Sequence, residues 1–487
     1  MLVRLLWCCT AVLIASEGFA QQDASSPRDA SMASAVSESR DSVVTIVRSG
    51  RKLDDVAFDG ASFDGASFDG ASFDGASFDA TSFASHEYGT GVVIGSSGLV
   101  LTNYHLLGDV ENSSFGIWHR RRLYVAKVIA ADPWTDLAIL KANNAEFSPI
   151  TIRVVTTKQD DTESSPLAIG QPVFAFANPY EKAQTGNAML ARGTIQDLAH
   201  SLVGPQGNSN TLYKFGGLLQ IDVPSHSESS GSPLLDIEGR MIGLVTSAKA
   251  LEGYDSSAHY AIPLTKEIYR VIETLMTGRE VAFGFLGIDP DPNEVELTDQ
   301  KTGVRVKRVL RRTPAAKGRI LAGDIITHVD GAELKDVDDL LFRVGIAQTE
   351  DRVQLRVVRT DPILRKTRIW QRGVRLAKRF VAKSRPVIVT TGQFHWRGLQ
   401  VDYYSAAKTR SDLTEPAPEN CVRITGVDRD SATWEAGLRV DHLVTAVGGI
   451  SVGNPSAFEA AILDAKGAVE FDVAGLGTVF VEAPSQE

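Results

Sequence analysis

Cysteine is scarce in this chain of 487 residues, which contains three. Cys8 and Cys9 lie within the first twenty residues, so Cys421 stands alone in the rest of the chain. A single thiol cannot form an internal disulfide, and no CxxC or HExxH spacing offers a ligand set for a metal. The rest of the chain must therefore be held together by apolar packing, and no metal site is expected.

Long apolar runs are also missing. The N-terminal run Leu5–Ala15 is too short to cross a bilayer comfortably, since a spanning helix needs about 20 residues. Arg4 precedes the run, and Gly18-Phe19-Ala20 resembles a small-x-small cleavage site. The pattern predicts a secretory signal peptide over residues 1–20, with an uncleaved membrane anchor as the alternative. After cleavage we expect no stable membrane span.

Positive charge is in deficit, with 50 Lys and Arg against 60 Asp and Glu and a net charge of −10. This balance argues against general nucleic-acid binding. Residues 352–385 are the exception, because they are rich in Arg and Lys. We interpret them as the solvated face of a strand pair plus a linker, and a site for an acidic partner is the alternative. The length indicates roughly three domains.

Residues 57–83 repeat the unit FDGAS and place six phenylalanines five residues apart. A period of five fits neither a strand nor a helix. We interpret the segment as a flexible low-complexity insertion; the alternative is an aromatic segment that mediates assembly or partner contact, because exposed phenylalanines mark interaction sites. The preceding residues 21–38 are rich in Ser, Ala and Asp and are expected to form a disordered or helical lead-in.

Short β-like runs separated by turns follow, which predicts a barrel or a sandwich. The runs are Ser42–Val47, Tyr88–Gly95, Gly98–His105, Tyr124–Ala130, Leu137–Lys141, Pro172–Ala177, Leu218–Val223 and Met241–Val245. Residues 264–278 then place apolar side chains at helical spacing and predict a helix that ends this domain.

Two related segments lie beyond this helix. One runs from FGFLGI at 283–288 to residue 331, and the other from WRGLQV at 396–401 to residue 449. Each places a hydrophobic-Gly turn upstream of a small-residue helix and a strand. The two segments are therefore predicted to be internal repeats of one small module.

Three polar residues of the β-rich region occur in an order that has chemical meaning. His105 ends an apolar run and could act as a general base near neutral pH. Asp136 begins a strand-like run and could orient an imidazole. Ser230 lies in a loop of small residues whose backbone N–H groups could face an oxyanion. Each residue alone has a structural explanation, but the order His, Asp, Ser on short strands is that of chymotrypsin-type proteases.

The motifs LTNYHLL, DPWTDLAILK and SSGSPLLDIEGRMIGL resemble the histidine, aspartate and serine motifs of the HtrA (Deg) family of exported, trypsin-like serine proteases. GFLGI and the two repeats resemble that family's tandem PDZ domains. The resemblance implies a mainly β chain: a chymotrypsin-like double β-barrel protease domain over 39–278, then α+β PDZ domains over 279–380 and 381–487. It covers most of residues 39–487, is weakest between 360 and 395, and is absent from the insertion.

The resemblance also implies roles for individual residues. Ser230 would be the nucleophile, His105 the general base and then acid, and Asp136 the orienting carboxylate. The backbone N–H groups of Glu228 and Ser230 would form the oxyanion hole. Four further residues would contact the substrate: Ser225 near the floor of the specificity pocket, and Val245, Thr246 and Ser247 along the edge that pairs with the substrate.

The serine loop departs from the family's Gly-Asn-Ser-Gly-Gly-Pro at Glu228, where the family has glycine. A side chain restricts the backbone there, and losing one oxyanion donor costs about 3 kcal/mol in the transition state. The sequence therefore predicts one of two alternative functions. One is an active endopeptidase, and the other is a proteolytically silent or conditionally active PDZ scaffold or chaperone that binds unfolded chains.

The first repeat would bind chain ends by strand addition. Its carboxylate-binding loop would consist of Phe285, Leu286, Gly287 and Ile288. The second repeat has Arg397 and Gln400 in place of apolar residues, so an assembly role is its alternative. By resemblance the protein would be periplasmic or in the cell envelope, act on unfolded or damaged proteins, form a trimer-based homo-oligomer and need no cofactor.

Overall fold

The computed structural model describes residues 38–49, 87–156, 165–177, 189–200, 217–223, 229–246, 259–291, 295–296, 302–311, 313–360, 366–379, 387–390, 395–405, 418, 420–463, 465 and 467–483. The expected signal peptide, the FDGAS insertion and all of the lead-in except Glu38 lie outside these residues. Within the described ranges, no helix has the length and apolar character needed to span a membrane.

Six antiparallel strands close the first barrel in the order β1-β2-β3-β6-β5-β4. Their bounds are β1 Val43–Ser49, β2 Glu87–Gly95, β3 Leu99–Asn103, β4 Ser114–His119, β5 Arg122–Asp132 and β6 Leu137–Ala142. Short 3₁₀ turns at Ser39–Ser42 and Tyr104–Leu106 precede β1 and follow β3. Because strand side chains alternate between faces, one set from these strands forms a single buried cluster around Ile46, Val100 and Leu140.

The second barrel closes in the order β9-β10-β11-β14-β13-β12. A short parallel pair precedes it, β7 Val155–Thr156 and β8 Ser165–Pro166. The barrel strands are β9 Pro172–Ala177, β10 Met189–His200, β11 Leu218–Ile221, β12 Pro233–Leu235, β13 Met241–Thr246 and β14 His259–Pro263. A second buried cluster, which includes Ile195, Leu219 and Ile242, fills it.

Helix α1, Lys266–Met276, ends the two-barrel region and confirms the predicted helix. The Thr265 side chain caps it by accepting a hydrogen bond from the Ile268 N–H. Its apolar face is buried in a cluster that also contains Phe283 and Ile346 of the next module. The first repeat module therefore packs directly against the end of the barrels.

The first repeat module is built on a sheet in the order β16-β18-β19-β21-β22. Its strands are β15 Gly284–Phe285, β16 Ile288–Pro290, β17 Val295–Glu296, β18 Thr302–Val309, β19 Ile325–Val329, β20 Ala332–Glu333, β21 Arg352–Thr360, β22 Thr367–Arg375 and β23 Ala377–Lys378. Its helices are α2 Pro314–Lys317 and α3 Val337–Gly345. β15 pairs with β23 as a separate ribbon.

The second repeat module has the strand order β25-β26-β27-β28-β30-β31, and its last five strands repeat the order of the first module. Its strands are β25 His395–Trp396, β26 Leu399–Tyr403, β27 Val422–Val427, β28 Leu443–Val447, β29 Ile450–Ser451, β30 Val469–Val473 and β31 Gly477–Val481. Its helices are α4 Ala432–Glu435 and α5 Pro455–Ile462. The predicted internal repeat is confirmed, as is the mainly β class with two barrels followed by α+β modules.

Two contacts fix the positions of the modules: one reaches the first barrel, and the other joins the first module to the second and to the segment after α1. Strand β24, Ile388–Val389, lies between the modules in sequence yet pairs with Ala130 and Ala131 of β5 in the first barrel. Lys378 at the end of the first module pairs with Glu280 at 2.9 Å and Asp402 at 2.6 Å. Burial opposes the ammonium charge, but the two carboxylates outweigh it and raise the pKa of Lys378.

Candidate active site

His105 and Asp136 form a hydrogen-bonded pair between the end of β3 and the start of β6. The His105 Nδ1 lies 2.9 Å from Oδ2 and 3.0 Å from Oδ1 of Asp136, and the His105 backbone N–H donates to Oδ1 at 3.0 Å. Asp136 is fully buried, whereas the His105 side chain keeps 14% of its surface exposed. A buried carboxylate on Nδ1 leaves Nε2 as the nitrogen that can exchange a proton with a substrate.

The backbone around Asp136 is held by its neighbours. Asp136 has φ +55°, a left-handed conformation that few residues other than glycine adopt. Its carbonyl accepts hydrogen bonds from the Tyr104 N–H at 3.0 Å and the Asn103 side chain at 3.2 Å. Asp132 accepts two hydrogen bonds from Thr135, one from its N–H and one from its hydroxyl. These contacts fix the turn that carries the carboxylate.

Asp132 itself is an unusual group, because one of its carboxyl oxygens, Oδ1, is buried without a hydrogen-bond partner within the described part of the chain. Burial raises the pKa of Asp132 to about 7, although the Thr135 hydrogen bonds act against this rise. The turn next to Asp136 thus contains a carboxyl group that changes charge near neutral pH.

Thr246 reaches the pair from the second barrel. Its hydroxyl donates to Asp136 Oδ2 at 3.0 Å, and both residues are buried. The sequence suggested Thr246 only as a substrate-contacting residue. The structure places it behind the carboxylate, where it completes the acceptor capacity of Oδ2 and joins the two barrels. A threonine at the end of a strand carries no sequence signal for this contact, which spans 110 positions.

The loop of Ser230 is fixed by backbone contacts to both barrels. The Ser230 carbonyl accepts a hydrogen bond from the Thr90 N–H at 3.0 Å, and the Gly231 N–H donates to the Val245 carbonyl at 2.9 Å. Gly231 has φ +84°, and a Cβ atom there would lie 1.9 Å from the Thr90 carbonyl oxygen. Glycine is therefore required directly after the serine.

Val245, expected on the edge that pairs with the substrate, also holds the serine loop through its backbone. Its carbonyl accepts from Gly231, and its N–H donates to the Ser232 carbonyl at 2.8 Å. Both backbone groups therefore hold the serine loop, and the Val245 carbonyl keeps a second lone pair that can accept a hydrogen bond from a substrate. The neighbouring Ser232 is fully buried, and its hydroxyl has no hydrogen-bond partner within the described ranges.

The serine and the histidine are not joined by a hydrogen bond. Among the described residues, the Ser230 hydroxyl makes none with His105, and the Ser230 N–H donates to no acceptor. A free N–H beside the hydroxyl suits an oxyanion donor. Catalytic hydrogen bonds are often long before substrate binds. Glu228, Ser225 and Ser247, the other residues expected at this site, lie outside the described residues.

The four residues of the expected carboxylate loop lie between β15 and β16. Gly287 has φ +84°, and its carbonyl accepts hydrogen bonds from Leu310 and Thr313. In the described part of the chain, the N–H groups of Leu286 and Gly287 donate to no acceptor. β16 pairs with β18 along one edge only, so its other edge is open within these residues. Phe285 and Ile288 flank this open turn.

The second module closes the equivalent edge with its own chain. His395 pairs with Gln400 and Trp396 with Leu399, so β25 folds back on β26 as a hairpin. β27 occupies the other edge of β26. The turn residue Arg397 stacks on Trp396 at 4.3 Å and donates to four backbone carbonyls, those of Ala465, Gly467, Val481 and Glu482. The positions corresponding to the open edge of β16 are therefore already occupied.

Comparison with known proteins agrees with this architecture. Residues 89–244 match the trypsin-like peptidase domain family, and residues 284–366 match the PDZ domain family. The chain is 28% identical over 278 residues to a probable periplasmic serine endoprotease DegP-like of Chlamydia trachomatis, covering 56% of this chain and 51% of that protein. It is 26% identical over 364 residues to the corresponding protein of Brucella suis, covering 74% and 65%.

Among solved structures, an HtrA-type protease AlgW with decapeptide aligns at 21% identity with a TM-score of 0.48, covering 72% of this chain and 98% of that one. The matched region spans about half to two thirds of the length of the two curated relatives. The two barrels and the family matches show a trypsin-like peptidase domain followed by a PDZ domain, and the first of these domains contains the His105–Asp136 pair. The similarity to DegP-like serine endoproteases supports the resemblance to the HtrA (Deg) family that the motifs predicted.

Proposed function

We propose that this protein is an exported serine endopeptidase that cleaves unfolded or damaged proteins of the cell envelope. The observation that carries the proposal is the buried Asp136 bound to His105 Nδ1, in a trypsin-like domain whose second barrel holds Ser230 on a loop with a free N–H. This arrangement supports an acid–base pair of the serine-protease type, in which Nδ1–H faces the carboxylate and Nε2 accepts the hydroxyl proton.

The proposed reaction begins when a substrate strand enters the cleft and Ser230 attacks its scissile carbonyl. His105 Nε2 takes the hydroxyl proton and then delivers it to the leaving amine. Asp136 keeps the Nδ1 proton in place and stabilises the imidazolium, while Thr246 keeps the carboxylate oriented. The N–H groups of Ser230 and Glu228 stabilise the oxyanion. Water then hydrolyses the acyl-enzyme by the same proton transfers in reverse.

Export and partners are part of the proposal. The N-terminal signal pattern supports export, and the DegP-like relatives are named as periplasmic proteins. The free N–H groups at Leu286 and Gly287 support capture of a chain-terminal carboxylate by the first PDZ module. We also propose a trimer-based homo-oligomer as the assembled form.

The decisive test uses a serine-directed fluorophosphonate probe and a denatured protein substrate. The mature protein should be labelled and should cleave the substrate, and Ser230→Ala should abolish both. Ser97→Ala, which removes an exposed turn hydroxyl, is the matched control and should behave as wild type. Absence of labelling at all temperatures, with and without added C-terminal peptides, would exclude the enzyme.

The second candidate is a silent or conditionally active scaffold that binds unfolded chains. It is favoured by the missing hydrogen bond between Ser230 and His105 and by Glu228 in place of the family's glycine. Under this function, the wild type binds denatured protein without labelling, and Glu228→Gly restores labelling. Under the first function, wild type is already labelled.

Chain-end capture has its own test in the two modules. A Cβ at Gly287 would lie 2.1 Å from Thr313 Cβ, and one at Gly398 would lie 2.4 Å from Ser431 Cβ, so the two alanine substitutions are matched in strain. Gly287→Ala should abolish binding of peptides with a free C-terminal carboxylate, and Gly398→Ala should leave it unchanged. Equal loss in both variants, or equal binding of amidated peptides, would contradict the assignment.

A further inference from the structure

Opposite charges are concentrated in two separate segments of the chain. Residues 352–385 contain twelve Lys and Arg residues and a single carboxylate, Asp361. Residues 57–83 contain five aspartates, one in each repeat, and no Lys or Arg. Such blocks of one sign repel themselves and attract each other, although the chain as a whole is acidic.

The structure gathers part of the basic segment on one face of the first module's sheet. The register aligns Arg305, Ile325, Val358 and Ile369 in one row across four strands, and Arg352 with Arg375 in another. Because side chains alternate along a strand, residues two positions apart share a face. The cationic face therefore consists of Arg305, Lys307, Arg352, Arg356 and Arg375.

These cations lack neutralising partners. Within the described ranges, Arg305, Lys307, Arg352 and Arg356 take part in no ion pair, and Arg375 approaches Glu350 only at 3.6 Å. Two carboxylates lie in these rows: Asp330, which accepts a hydrogen bond from the Gln354 N–H, and Glu333, which opposes His328 in the row of Arg356 and forms no ion pair within the described ranges. By contrast Arg359, on the opposite face, is paired with Asp324.

An apolar side chain lies beside the cations. Ile369 is 57% exposed at the open edge of the sheet, in the same row as Arg305. A ligand suited to this surface must combine negative charge with apolar groups at short, repeated spacing. The FDGAS segment does so, because every repeat places a phenylalanine directly before an aspartate.

We propose that residues 57–83 of the same chain dock on the cationic face. Ser49 and Glu87 end the adjacent strands β1 and β2, and residues 50–86 connect them. A connection of that length, doubled back on itself, reaches roughly 60 Å from its root. That reach is about twice the roughly 30 Å diameter of a small domain, so a module packed against the barrels lies within it while both ends of the segment stay in the sheet.

Because the segment contains five repeats, several weak contacts together hold it on the cationic face. An exposed Asp–Arg pair strengthens association by only about one- to fivefold, and salt screens it. Five equivalent aspartates offer several such pairs in any register, and the covalent tether supplies an effective concentration of about millimolar. The docked segment therefore exchanges between registers and leaves the face as ionic strength rises.

The test is disulfide crosslinking in the full-length protein at high dilution. Phe68→Cys with Ile369→Cys should give an intramolecular crosslink in low salt. Phe68→Cys with Leu463→Cys, which uses an apolar side chain 67% exposed on the second module, is the matched control and should crosslink at least fivefold less. Salt at about 0.5 M should reduce the first crosslink to the level of the control.

Charge variants identify the contacts. Arg352→Glu with Arg356→Glu should lower the crosslink at least fivefold. Arg368→Glu, one position from Ile369 on the opposite face of the same strand, should not. Replacing Asp59, Asp64, Asp69, Asp74 and Asp79 by asparagine changes no residue of the folded modules and should give the same loss.

Three outcomes would overturn the proposal. Equal crosslinking at Ile369 and Leu463 would mean that the segment contacts the surface without preference. A crosslink found only between chains, with a yield that depends on concentration, would assign the face to a second copy. Binding of phosphatidylglycerol vesicles that depends on Arg352 and Arg356, without any intramolecular crosslink, would assign it to an anionic membrane surface.

Discussion

The two barrels contribute unequal halves to the candidate active site. In the first barrel every oxygen of Asp136 has a donor: Oδ1 receives two from His105, Oδ2 receives Nδ1 of His105 and the Thr246 hydroxyl, and the carbonyl receives Tyr104 and Asn103. In the second barrel, the backbone of the serine loop is fixed, but the hydroxyls of Ser230 and Ser232 make no hydrogen bond within the described residues.

The acid–base pair is thus already in place, whereas the nucleophile is not yet aligned with it. The acid–base half is built before substrate arrives, because a buried, fully hydrogen-bonded carboxylate holds the imidazole in one tautomer. The nucleophilic half still has to bring its hydroxyl to Nε2. We therefore expect Asp136→Asn, in the first half, to remove activity. In the second half, we expect Ser232→Ala to raise the free energy of unfolding.

The largest effect is expected from Asp136→Asn. Asparagine has one acceptor oxygen and an NH2 donor in place of the two carboxylate oxygens. The imidazole therefore takes the wrong tautomer, and kcat/KM should fall by about 10⁴-fold. Hydrolysis of a denatured protein substrate measures the loss, and circular dichroism checks that the variant folds. Asp109→Asn, on the exposed loop after His105, should keep wild-type activity. A loss below tenfold would show that this half is not preorganised.

The next largest effect is expected at Asp132 in the first barrel, where one buried carboxyl group should make the stability of the protein depend on pH. Burial raises the pKa of Asp132 to about 7 from 3.8, so the ionised group opposes folding. The contribution of Asp132 to the free energy of unfolding is highest below pH 4, falls as the pH rises toward 7, and is constant above pH 7. Asp132→Asn should remove that fall. The free energy of unfolding of the variant should therefore rise relative to wild type across this window by a few kcal/mol, because each unit of pKa shift corresponds to about 1.4 kcal/mol.

Urea unfolding at pH 4.5, 6 and 7.5 measures the difference. Asp109→Asn is again the control. Its carboxyl has a pKa lowered by a hydrogen bond from Asn112, so its removal should not stabilise the protein as pH rises. A constant difference between Asp132→Asn and wild type would mean that Asp132 does not titrate in this window.

The same asymmetry explains what could be predicted from the sequence. Motif order predicted that His105 and Asp136 would meet, and helical spacing predicted α1 to within two residues at each end. The barrel strands β4, β10 and β14 were not predicted. The β10 sequence, MLARGTIQDLAH, mixes polar residues and lacks a clean alternation, and its pairing with β9 and β11 is what makes it a strand.

Contacts between distant segments could not be predicted. β24 is two residues long, and it is a strand only because the edge of β5 extends beyond β4 and is open there. The closed hairpin of the second module depends on the turn at Arg397, where φ is +48°. Both features follow from tertiary register, which local pattern does not encode.

Thr246→Val would sharpen the comparison by removing the hydrogen bond that Thr246 of the second barrel donates to Asp136. The substitution keeps the shape and loses a hydrogen bond to a charged group, worth about 1.5–3 kcal/mol. We expect kcat to fall by about tenfold or more with KM little changed, since the group orients a catalytic residue. Thr246→Ser retains the hydroxyl and should recover most of the rate. Equal losses in both variants would point to packing and not to the hydrogen bond.

The smallest effect is expected from Ser232→Ala, in the half of the site where the Ser230 and Ser232 hydroxyls make no hydrogen bond within the described residues. The Ser232 hydroxyl is fully buried and has no partner within the described residues, which costs folding about 1–3 kcal/mol relative to an apolar group. The backbone contacts of Ser232, from its N–H to Ser229 and from Val245 to its carbonyl, survive the change. The variant should therefore unfold at higher urea concentration with an unchanged slope, whereas Ser97→Ala, at an exposed turn, should not shift the midpoint. Destabilisation by Ser232→Ala would mean that the hydroxyl does have a partner in solution, and the contrast between the two halves of the site would be lost.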